Sequence, residues 1–164
     1  MTAIDHDTYS SYLTEHYLGA SSGAQAFRAA ASAWEGRPGG ELLQELADEV
    51  TADRDTLRDL IRGLGYSVGP LKQTAAAGAQ VAGRLNPMNV LRAHQVAAAR
   101  IEIETLTGLV RAKRCLWETL LRLTAVDLRL DPQQLERLAE SARSQEERLD
   151  RMIQDGALAT FTTE

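Results

Sequence analysis

Most features that carry a recognisable chemistry are missing from this sequence of 164 residues. A single cysteine, Cys115, excludes an internal disulfide, and no second thiol stands near it for a zinc or redox pair. With aromatic residues at only 5%, no alternating β-branched and aromatic run reaches strand length, so a β-sheet core is excluded. The longest purely apolar runs, such as Val96 to Ala99, are far too short to span a bilayer. The first residues include Asp5 and Asp7 around His6, where a secretion signal would be basic. A soluble protein of a reducing cytoplasm is the expectation. No Gly-x-Gly-x-x-Gly, phosphate-binding loop or Gly-x-Ser-x-Gly elbow occurs.

What remains is the composition of one globular domain, 44% apolar and 25% charged, long enough to bury a core without metals or bridges. The net charge of −5 divides unevenly. Residues 1–65 hold 11 acids and 5 bases, residues 66–125 hold 3 and 8, and residues 126–164 hold 9 and 5. A basic middle between acidic flanks suits a basic helix packed against acidic neighbours. Nucleic-acid binding is not expected, because a net acidic chain lacks the field that phosphate binding needs.

Leucine and alanine fill 48 positions, so the helical period carries the structure. A first helix is expected from Asp5–Thr8 to Trp34, with the stripe Tyr12, His16, Gly19, Gly23, Ala26, Ala30 and Ala33, and a stop at Gly36. The connector Gly36-Arg37-Pro38-Gly39-Gly40 forces a hairpin. The second helix, Glu41 to Leu64, has the seam Leu43, Leu46, Val50, Asp53, Leu57, Leu60 and Leu64. Residues 69–85 read as a crossover with a short, thin helix, or as a docking or membrane-surface element with little bulk for either. Asn86-Pro87 starts a long third helix whose core line includes Ile101, Gly108, Ala112, Cys115, Leu116 and Leu120. Asp131-Pro132 caps a fourth, with Leu135, Leu138, Ala142, Gln145, Leu149 and Met152 inward, ending near Gly156. Residues 1–156 then form an all-α, antiparallel four-helix bundle with one long crossover, the ferritin-like arrangement, and 157–164 a frayed tail.

Polar residues on those seams are the candidate site. A di-iron or di-manganese bundle takes a carboxylate from each of two helices and Glu-x-x-His from the other two. No Glu-x-x-His occurs here, and the helical histidines, His16 and His94, have no carboxylate three residues before them. The ordinary centre is therefore absent, and no cofactor is expected. A degenerate iron or manganese site from His16, Glu49, Asp53 and Glu104 is the alternative. Glu41, Glu45, Glu49 and Asp53 recur every fourth residue, a like-charge ladder that needs compensation. The partners on offer are a metal, His16, or Lys113 or an arginine of the third helix. A buried unpaired carboxylate costs several kcal/mol, so an inward polar layer of His16, Asp53, Glu104, Lys113 and Gln145 is expected. Cys115, on the third core line, reads as an inert buried thiol unless Lys113 and Arg114 activate it at the surface.

Three segments also resemble one another's counterparts in a known group. Tyr12-Leu13-Thr14-Glu15-His16, the stretch Glu49 to Leu57 with Asp53-Arg54, and Glu104 followed by Ala112-Lys113-Arg114-Cys115-Leu116-Trp117 are similar to motifs of small uncharacterised bacterial ferritin-like four-helix-bundle proteins. Ala112 stands where that group has Gly, and Glu15 where it has Asp. The resemblance implies a fold and supplies no reaction. The expected role is accordingly non-catalytic, a protein-interaction or self-association module, with metal or oxidative-stress handling as the alternative.

Overall fold

The structure, a computed structural model, describes residues 3–68 and 95–162. Among the described residues every regular element is a helix, and four long helices pack together. They are α1 (His6–Ala33), α2 (Gly40–Gly63), α3 (Gln95–Leu123) and α4 (Pro132–Asp155), followed by the short α5 (Ala157–Phe161). The expected crossover over 69–85, the start signal Asn86-Pro87 and His94 lie outside the described residues. No described helix is long and apolar enough to cross a membrane.

Local chemistry sets the ends. The Asp5 carboxylate accepts from the backbone N–H groups of Asp7 and Thr8, and Asp131 does the same for Gln133 and Gln134, so orphan donors are satisfied at both starts. Between α1 and α2 the chain turns through Gly36 and Gly39, both with left-handed φ. Gly40 is demanded by crowding: a Cβ there would lie 2.3 Å from the Trp34 carbonyl oxygen. The turn from α3 to α4 is clamped by Arg129. Its guanidinium donates to both Asp127 oxygens and, through Nη1, to the Leu64 carbonyl at 2.7 Å, tying this loop to the end of α2. The segment after Gly156, expected to fray, is helical to Phe161, whose ring lies 5.4 Å from the Arg100 guanidinium.

The core forms two clusters. One gathers Leu13, Leu57, Ile61, Leu116, Trp117, Leu120 and Leu135. The other gathers Ala24, Phe27, Leu43, Leu46, Ile103, Leu106, Val110 and Leu149. The seams of α2 and α4 are largely as expected, with Ile61 and Ala139 buried beside them. The seam of α3 is not. Ile101 is 62% exposed, and Gly108, Ala112 and Cys115 are also exposed, while Ile103, Leu106, Val110 and Trp117 point inward with Leu116 and Leu120. Two apolar stripes compete on α3, and the bulkier one removes more apolar area from water at about 25 cal/mol per Å².

Candidate functional site

Between the two clusters runs a polar layer, and chain order explains its position. On α2, Asp53 falls between Val50 and Leu57; on α3, Lys113 falls between Val110 and Leu116; on α4, Gln145 falls between Ala142 and Leu149. Lys113 Nζ donates to Asp53 Oδ2 and to Gln145 Oε1. The amide of Gln145 donates in turn to Glu49 Oε2 at 2.9 Å and to Asp53 Oδ2 at 3.2 Å. The side chains of Lys113 and Asp53 are 10% and 12% exposed, so each relies on the other for most of what water would supply. Burial pushes the Lys113 ammonium below the ordinary lysine value, opposed by the attraction of Asp53 and Glu49. One of the two oxygens that Nζ donates to belongs to a carboxylate, which favours the charged form.

The acidic ladder is compensated from two helices. Arg148 on α4 pairs with Glu49 and reaches Glu45 at 3.7 Å. The arginine partner expected on the third helix is therefore supplied by the fourth. Arg148 lies three residues after Gln145, on the same face, and that spacing was the available signal. The arginines of α3 turn elsewhere: Arg111 and Arg114 both pair with Glu146. Three bases of α3, Arg111, Lys113 and Arg114, thus pair with acids of α2 and α4, while Arg100 pairs within α3.

Two expected members stand apart from the layer. Glu104 is exposed and pairs with Arg100 at 3.2 Å, because the rotation of α3 that buries Ile103 and Leu106 carries it outward. His16 is half-buried and packs edge-on against Tyr12, ring centroids 4.6 Å apart, with no hydrogen bond or ion pair to Asp53 among the described residues. Desolvation pushes its imidazole below the usual histidine range, which favours the neutral ring.

The donor set decides how far a metal fits. Iron or manganese needs oxygen and imidazole ligands converging on one point, whereas the Asp53 carboxylate faces a lysine ammonium and a glutamine amide. Among the described residues, no three His, Cys, Asp or Glu side chains are placed to hold an ion together. Cys115, exposed rather than on the core line, lies on the outer face of α3.

A second polar cluster closes one end of the bundle. His6 Nδ1 hydrogen-bonds the Tyr66 hydroxyl, the Tyr66 ring lies 5.7 Å from Arg129, and Tyr9 packs edge-on against Tyr66. Burial raises the Tyr9 phenol to about 12, with Asp127 adding to the effect. Residues 60 apart in the chain meet here, and no local spacing signals that. No family model, curated protein or solved structure matches the chain.

Proposed function

We propose that the chain is a non-catalytic, ferritin-like helical bundle, working in a reducing cytoplasm as a protein-interaction module whose partner is a second copy of itself. An antiparallel bundle with one crossover is supported by the order in which the helices pass the two clusters. α1 and α4 run from the Trp117 cluster to the Phe27 cluster, and α2 and α3 run the opposite way, which requires a long connection from α2 to α3. On this reading the layer of Asp53, Lys113 and Gln145 fixes the register of the helices, and neither iron nor manganese is its partner. Nucleic acid is no partner either, since the chain is net acidic and Arg100, Arg111, Lys113 and Arg114 of α3 each pair with an acid.

One observation carries the interaction reading. α3 bears two apolar stripes, and the one left outside, Ile101, Gly108, Ala112 and Cys115, keeps a helical period of threes, fours and sevens. Small residues on such a face let a second backbone approach closely, and a symmetric pair buries the same face twice. Sedimentation equilibrium tests this. The wild type is expected to dimerise with rising concentration, and Ile101→Glu with Gly108→Arg to remain a monomer with an unchanged melting temperature. A wild type that stays monomeric at millimolar concentration, or a double variant that dimerises equally well, overturns it.

A further inference from the structure

At the level where α2, α3 and α4 each contribute a polar side chain, α1 contributes Gly19, Ala20 and Gly23. Gly19 is exposed at the rim and Gly23 is buried. A Cβ built at Gly19 meets nothing within 4 Å, and one at Gly23 meets only Leu109 Cδ1 at 3.9 Å. The result is a cavity of about 250 Å³. Phe27, Val50, Leu57, Leu116 and Trp117 form its apolar wall, and Tyr12, Glu15, His16, Asp53 and Lys113 are its charged or polar members.

We propose that this cavity binds a neutral, planar, two-ring aromatic molecule carrying one hydrogen-bonding group. Size sets the first limit. A dry apolar cavity of about 150 Å³ takes one benzene ring, so this one has room for a fused pair. The wall gives water few of the two to four polar partners it needs, so an apolar occupant is favoured over solvent. Charge sets the second limit. Asp53 and Lys113 neutralise each other and Glu15 remains, so an anionic ligand meets net repulsion. The neutral imidazole of His16 has no hydrogen-bond partner among the described residues and offers one donor and one acceptor to the ligand's polar group.

Isothermal titration calorimetry with 2-naphthol and with 2-naphthoate tests the assignment. Gly19→Leu fills the cavity from α1 and replaces a mid-helix glycine by a strong helix former, so the fold should be retained. Ala20→Leu, at the half-buried neighbouring position on the cavity wall, serves if the first variant misfolds. The wild type is expected to bind 2-naphthol saturably, one per chain. Binding of 2-naphthoate, and of 2-naphthol by either filling variant, is expected to be weaker by about tenfold or more. No saturable heat with 2-naphthol, equal affinity for the carboxylate, or unchanged affinity in a folded filling variant overturns the proposal.

Discussion

Lys113 and Asp53 show how a buried charge is tolerated on a bundle seam. Neither side chain keeps much contact with water, yet Lys113 Nζ donates to Asp53 Oδ2 and to Gln145, whose amide donates to the same carboxylate oxygen. Removing one partner strands the other. Lys113→Met is therefore expected to cost about 3–5 kcal/mol, read from urea unfolding. Replacing both, as Asp53→Leu with Lys113→Met, is expected to recover much of that loss, because an apolar pair of similar volume leaves no stranded charge. Additive losses in the double variant would mean that the two groups do not depend on each other. At this scale Asp53, Lys113 and Gln145 are legible in the sequence because each interrupts an otherwise apolar line. His16 and Glu104 also interrupt one, but α1 and α3 each offer more than one stripe, and only packing decides which is buried.

Helices α2 and α4 can be drawn from their residues alone, since bulky leucines at steps of three and four leave one possible inner face. For α3 the choice between Ile101-Gly108-Ala112-Cys115 and Ile103-Leu106-Val110-Trp117 rests on summed apolar volume, which periodicity does not weigh. Glycine misleads in α1 for a related reason. Gly19 falls on the expected inner line of α1, yet it is exposed. The connectors are held by particular contacts, and two changes should expose them. Gly40→Ala is expected to lower stability by more than about 2 kcal/mol in thermal or urea unfolding, because backbone rather than a mobile side chain occupies the space. A cost below that would mean that the turn opens freely. The Asp127–Arg129 clamp should be visible in pH dependence. Arg129 holds the Asp127 carboxyl below its ordinary value, chiefly by hydrogen bonding. A group whose folded-state value is lowered stabilises above its unfolded value, about 4, and loses that contribution as pH falls through the folded one. The stability difference between wild type and Arg129→Met should accordingly be largest above about pH 5 and shrink below about pH 3. A difference that does not change across that range would assign the clamp no electrostatic part.

For the molecule as a whole, two apolar clusters separated by one polar layer amount to a device for register. Sliding α2, α3 or α4 by a turn would set Asp53, Lys113 or Gln145 against leucine, leaving a buried polar group unsatisfied. Such a layer specifies a unique alignment of these three helices, which an all-leucine seam does not. Inward carboxylates of helical bundles can hold a pair of metal ions, and what sets this layer apart is the Lys113 side chain hydrogen-bonded to Asp53. Elemental analysis of protein purified without chelators tests it most directly. With Lys113 closing the layer, iron and manganese are expected far below stoichiometric amounts, in wild type and Asp53→Asn alike; a stoichiometric content of either metal that Asp53→Asn abolishes would contradict it.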